Sequence, residues 1–153
     1  MPDEPKPWIA IQVMMQPKDA NSLPAMNMLP GGGQYPLYST IFGGVLLSHI
    51  DLAGAISAQR ELQLRGGNPN ASFVTVAINR VEFKKPVLVG DVVRFQTEVT
   101  KVGRTSMTVR IDVWAERGAE AIHVTEAEGV FVGVDLSTPD RKPVPLFPQG
   151  EPA

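Results

Sequence analysis

From Ile41 to Ala58 apolar and small residues fall on almost every side of a helical projection, and a polar face appears only in the following "SAQRELQLR". The pattern predicts a helix from Phe42 or Gly43 to about Gln63, ended by Gly66, Gly67 and Pro69. An apolar surface all round marks the first half as buried, while the second half leaves the core. From Ser72 onward the period changes to two. "SFVTVAINRVEF" sets Val74, Val76 and Ile78 on one face and Thr75, Ala77, Asn79, Val81 and Phe83 on the other. In "DVVRFQTEV", Val93, Phe95, Thr97 and Val99 alternate with Arg94, Gln96 and Glu98. "SMTVRIDVWAE" is the cleanest run, with Met107, Val109, Ile111, Val113 and Ala115 inward. "IHVTEAEGVFVGVD" is a fourth, whose Gly129 and Gly133 suggest bulges or a close backbone approach. Before the helix, "WIAIQVMM" (Trp8 to Met15) reads as one more strand.

The order is therefore strand, long irregular segment, helix, then four strands joined by the turn-like "KPVLVGD", "KVGRTS" and "ERGAEA". Strands that alternate so regularly have one face on a core and one outside, as in antiparallel sheets. The expected product is an α+β domain in which an antiparallel sheet of about five strands curls around one long central helix. The segment 16–40 carries four prolines and three consecutive glycines, Gly31 to Gly33. Loops of that length are functional or disordered, and the pattern leaves both readings open. Those glycines lack the strand-before, helix-after context of a phosphate loop. Residues 1–136 are expected to form the single domain. Residues 137–153, with five prolines, form a tail expected to be extended or disordered.

Composition removes whole classes of function. A chain of 153 residues with 43% hydrophobic and 20% charged residues can bury a real core. A net charge of −2 without a basic run argues against nucleic-acid or membrane-surface binding, although a local patch for a phosphate-bearing ligand remains open. The absence of cysteine excludes disulfides, thiolate catalysis and zinc–thiolate sites, and two histidines, His49 and His123, make a multi-His metal site improbable. The stretch from Ile41 to Ala58 is too polar for a membrane span, the N-terminal "MPDEPKPW" has no signal-peptide core, and the default compartment is the cytoplasm.

Within that apolar helix stands Asp51, flanked by Ile50 and Leu52 with Leu47 and Ala55 a turn away. A carboxylate poorly placed for solvation is paired, protonated or functional, because burying it alone costs several kcal/mol. The helix start at Gly43–Gly44 offers unpaired amides and a partial positive charge, and glycine lets a substrate carbonyl approach the backbone. A carboxylate with oxyanion donors is the equipment of ester or thioester hydrolysis. Asp51 lies seven positions after Gly44, however, or about 10 Å along the helix axis. One helix does not easily bring both to a single carbonyl.

The segments "PKDAN" (17–21), "IFGG" with "SHIDLAGA" (41–55), "VTVAINRVEFKKPVLVGDVV" (74–93) and "VGRTSMTVRIDVWAE" (102–116) resemble the hotdog-fold acyl-CoA hydrolases, and "VTEAEGVFVGVD" (124–135) adds a weaker likeness. The likeness is nearest to the bacterial broad-specificity acyl-CoA thioesterases and the cytosolic acyl-CoA hydrolases of animals. It implies a sheet wrapped around the helix and a homodimer joined edge to edge, assembling further to a hexamer (a trimer of dimers). Sites would lie at the dimer interface, with an acyl-CoA substrate and neither metal nor other cofactor, coenzyme A being part of the substrate.

The family's catalytic aspartate follows "FGG" by six residues, which is Asp51 here. The resemblance therefore makes Asp51 general base or nucleophile, with Gly43 and Gly44 at the oxyanion end. A family asparagine that positions water or polarises the carbonyl corresponds to Asn21. The family sets that residue only a few positions before the helix motif, whereas Asn21 precedes Ile41 by twenty. Its role thus falls to Asn21, to Asn27 or Gln34, or to nothing, and "YPL" at 35–37 is a further displaced candidate. The "KVGRTS" turn resembles one that meets the nucleotide of coenzyme A. Gly103, Arg104, Thr105 and Ser106 would bind it, against the plain reading of a hairpin in which Gly103 supplies a positive φ. Lys84 and Lys85 read as a solvated face, and His49 as a helix-surface or interface residue. The rival function on the same fold is a non-catalytic acyl-CoA-binding or sensor protein, since function lives in the site and not the fold.

Overall fold

Strand β1 (Trp8–Met14), helix α1 (Gly43–Leu64), and strands β2 (Ala71–Asn79), β3 (Val92–Val102), β4 (Ser106–Arg117) and β5 (Glu120–Asp135) form from the segments whose periodicity predicts them. The computed structural model describes residues 7–21 and 40–150. Asn27, Gly31–Gly33, Gln34 and "YPL" lie outside the described residues. The strands make one antiparallel sheet in the order β1-β3-β4-β5-β2, which leaves β1 and β2 at the edges.

Alternation decides what faces the helix. Val93, Phe95, Met107, Val109, Ile111, Val113 and Ala115 are all fully buried, and Thr97 joins them. From the helix, Leu46, Ile50, Ala53, Gly54, Ser57, Ala58 and Leu62 close the core. The contact is tight at one point. A Cβ on Gly54 would lie 2.4 Å from Cζ of Phe131, and one on Gly129 would lie 2.6 Å from Cε2 of the same ring. Phe131 is thus wedged between a helical glycine and a strand glycine, which is the close approach expected of Gly129. At Gly133 the approaching atom is Cδ2 of Leu146, 2.6 Å from where a Cβ would sit.

Two expectations are corrected. First, the front half of α1 is not buried all round. The sheet covers one side, while Leu47 and Leu52 stand exposed on the other. A five-stranded sheet is not wide enough to close around a helix, so an apolar second face is left uncovered. Second, β2 does not keep one face throughout. A bulge between Thr75 and Ala77 shifts the register, so Ile78 packs against the core while Val74 and Val76 are exposed. The strand ends at Arg80, whose φ is 37°.

The tail, expected to be extended or disordered, is seated on the domain. Leu146 is 0% exposed; its N–H donates to the Arg104 carbonyl (2.9 Å) and its carbonyl accepts from Asn68 N–H (2.7 Å). Val144 N–H donates to Gly133, and Pro143 bridges Val134. One buried leucine and these backbone bonds hold a segment whose proline content alone predicts none of this. In the "KPVLVGD" turn, Gly90 takes a φ of 93°, and buried Asp91 accepts from Leu88 N–H and from both Nε and Nη2 of Arg117. That pairing raises the Arg117 pKa, chiefly through the hydrogen bond to Asp91.

Candidate active site

Asp51 projects from the side of α1 that the sheet leaves open, and it is half-buried rather than enclosed. Its Oδ1 accepts a hydrogen bond of 2.5 Å from Oγ1 of Thr75 on the edge strand β2. This fixes the carboxylate's rotation and leaves Oδ2 available to a second donor. Thr75 reaches the helix because it shares a face with Phe73, ahead of the bulge. The sequence reading passes over Thr75, which looks like one more β-former in an alternating run. The usable signal was a hydroxyl residue on a strand otherwise dominated by apolar side chains.

Gly44, Leu47 and Asp51 fall on one stripe of α1 at spacings of three and four. The first-turn amides of Gly43 and Gly44 find no backbone carbonyl among the described residues, and Phe42 at the N-cap offers no side-chain cap. Two rings flank this start. Phe42, 56% exposed, lies over Gly44, where a Cβ would be 2.5 Å from its Cε1. Phe83 lies beside Gly43 at 3.6 Å by the same measure.

Asn21 stands at the same end of the helix despite the twenty residues before Ile41. Its N–H donates to the Thr40 carbonyl (2.8 Å), Ala20 bridges Ile41, and Phe42 N–H donates to Asp19 (3.0 Å). The two sides of the insertion meet at its neck, so its length does not carry Asn21 away from the glycines. Asn21, Gly43 and Gly44 form one group, and Asp51 with Thr75 forms another about 10 Å along the axis.

The turn Gly103–Ser106 lies elsewhere. Arg104 is tied through Leu146 to Asn68, just beyond the C-terminal end of α1. Thirteen residues of helix separate Asp51 from Leu64, roughly 20 Å. Gly103 does not adopt a positive φ, which corrects the expectation for it. Its constraint is steric: a Cβ would meet Ser106 Oγ at 3.2 Å, and its N–H donates to the Ser106 carbonyl at 2.7 Å. His49 is a packing residue. Its Nδ1 donates to the Val45 carbonyl, and its ring stacks on Phe95 with centroids 5.4 Å apart. Lys84 and Lys85 are exposed. No group of three or more His, Asp or Glu side chains is arranged to hold a metal among the described residues.

Residues 38–122 match the family model of the thioesterase superfamily. This chain belongs to the thioesterase superfamily. It is 39% identical over 115 residues to the acyl-CoA thioester hydrolase YciA of Salmonella typhimurium, covering 72% of this chain and 79% of the relative. A hexameric thioesterase from Yersinia pestis superposes with a TM-score of 0.72 at 32% identity, covering 96% of this chain and all of that one (100%). A hexameric hotdog-fold thioesterase of Campylobacter jejuni gives 0.68 at 34% identity, over 90% and 89% of the two chains. The hotdog fold expected from the sequence is thus the fold of this thioesterase: one long helix on a five-stranded antiparallel sheet. No described helix is long and apolar enough to cross a membrane.

Proposed function

We propose that this protein hydrolyses acyl-CoA to a free carboxylic acid and coenzyme A at a site shared by two chains of a homodimer. The observation that carries the proposal is the Asp51 carboxylate, held by Thr75 and separated by about 10 Å from first-turn amides of its own helix that find no backbone carbonyl among the described residues. In this reading Asp51 Oδ2 accepts a proton from water as the water oxygen attacks the thioester carbon. The Gly43 and Gly44 amides of the partner chain, with Asn21, receive the carbonyl oxygen as it becomes an oxyanion. Collapse of the tetrahedral intermediate breaks the C–S bond, and the departing thiolate takes up the proton from Asp51. All the atoms come from substrate, water and this chain's own groups, so the reaction calls for no further cofactor.

Exposed Leu47 and Leu52 on α1 and exposed Val74 and Val76 on the unpaired edge of β2 are the surface such a partner would cover. The relatives from Yersinia pestis and Campylobacter jejuni are described as hexamers, which supports a trimer of dimers here. The Salmonella relative's name supports acyl-CoA as the substrate. The turn Gly103–Ser106 meets the nucleotide end of that substrate, with Arg104 on a phosphate. An acyl-CoA substrate is compatible with the cytoplasmic reading of the sequence.

A thiol-release assay over acyl-CoAs from acetyl to palmitoyl and aryl tests the reading. Catalytic release of one thiol per acyl-CoA consumed is expected for at least part of the panel. Tight binding of acyl-CoA without release across the whole panel would instead make the protein a sensor.

A further inference from the structure

Phe147 follows the buried Leu146 and forms the common wall of two clefts. One, of about 230 Å³, is lined by Val102, Gly103 and Arg104. The other, of about 320 Å³, lies against the Gly66–Pro69 turn that ends α1. The ring's position is not left to a loose terminus. Leu146 spends its N–H on the Arg104 carbonyl and its carbonyl on Asn68, so strap, turn and helix end form one hydrogen-bonded unit. Beside the ring, Arg104 is exposed, and no carboxylate pairs with it among the described residues. A half-buried aromatic ring that packs against the core and walls both clefts, next to a guanidinium with no carboxylate partner among the described residues, is complementary to a ligand carrying both a flat ring and a phosphate.

We propose that Phe147 is a substrate-binding residue: the strap 143–147 completes the nucleotide end of the site, with the purine stacked on Phe147 and a phosphate on Arg104. The proposal rests on the acyl-CoA reading above and adds to it a residue outside every motif that carries the family resemblance. Electrostatics orders the two groups. The C-terminal end of α1 bears partial negative charge, which disfavours a phosphate in the Gly66–Pro69 cleft and leaves that side to the uncharged base. Charge-assisted hydrogen bonds favour the phosphate on the Arg104 side.

Calorimetry on the full-length oligomer with free coenzyme A, ADP and pantetheine tests this without requiring turnover. Phe147→Leu keeps an apolar side chain beside Leu146 but removes the aromatic face, and Phe147→Trp keeps the face. The expected result is a loss of about tenfold in affinity for coenzyme A and ADP in Phe147→Leu, within the range of one base–aromatic stack, with affinity retained in Phe147→Trp. In hydrolysis, the Phe147→Leu variant should raise KM for acyl-CoA about tenfold more than KM for a thioester lacking the nucleotide. Unchanged binding of coenzyme A and ADP in Phe147→Leu overturns the proposal, and so does an equal loss in both variants, which would mark packing rather than stacking. A wild-type protein that binds coenzyme A through Phe147 yet releases no thiol would uphold this inference while removing the hydrolytic reading.

Discussion

Thr75 and Asp51 divide one task between a hydroxyl and a carboxylate. A hydrogen bond to a charged group contributes about 1.5–3 kcal/mol, so if Asp51 is the base proposed above, losing it should lower kcat roughly ten- to a hundredfold. Thr75→Val removes the hydroxyl at nearly constant shape, and Thr75→Ser should restore most of the rate. Steady-state kinetics of the pair check this, and a wild-type kcat in Thr75→Val would show that the hydroxyl does not orient Asp51. A different carboxylate, Asp91, works for stability. It is 2% exposed and holds Arg117 through two nitrogens as well as Leu88 N–H. Asp91→Ala strips Leu88 N–H and Arg117 Nε of their carboxylate, while Arg117 Nη2 keeps the Pro86 carbonyl, and should destabilise the fold by about 1–3 kcal/mol, as read by urea denaturation. Asp51 is singled out by its apolar helix and the family motif, while Asp91 looks like one more turn aspartate.

Elements were legible wherever periodicity is local. The helix and the five strands fall close to where the local patterns set them, although β2 stops at Asn79, short of the alternating run to Phe83. What was not legible depends on distant segments meeting. The bulge in β2, the closing of the insertion at Asn21 and Thr40, and the seating of Leu146 each join residues far apart in the chain. The wedge of Phe131 between Gly54 and Gly129 is of the same kind, and it makes a sharp prediction. Gly54→Val overfills a contact that has no spare room and should cost about 1–3 kcal/mol, seen as a lower midpoint in thermal or urea unfolding. The turn at Arg104 is tested through substrate binding instead. Arg104→Ala should raise KM for acyl-CoA and spare kcat, because a nucleotide contact binds ground and transition states alike. An equal effect on a thioester without the nucleotide would make the turn structural.

At the scale of the whole molecule, one chain leaves its helix half covered, its β2 edge unpaired among the described residues, and Asp51 about 10 Å from the helix-start amides proposed to act with it. The proposed two-fold partner would answer all three, setting Asp51 of one chain against the helix start of the other and giving two equivalent sites per dimer. Mixing two inactive parents tests that account most directly. Asp51→Ala removes the proposed base and should lower kcat at least about a hundredfold. Gly44→Val blocks the amide end, where the exposed Phe42 ring can swing aside to admit the new side chain. In a mixed dimer one site carries both lesions and the other carries neither. Co-refolding equal amounts should therefore restore thiol release to about a quarter of the wild-type rate, with half the dimers mixed and one intact site in each. No recovery, with both parents folded and mixed dimers demonstrated, would contradict the account and mean that each chain carries a complete site.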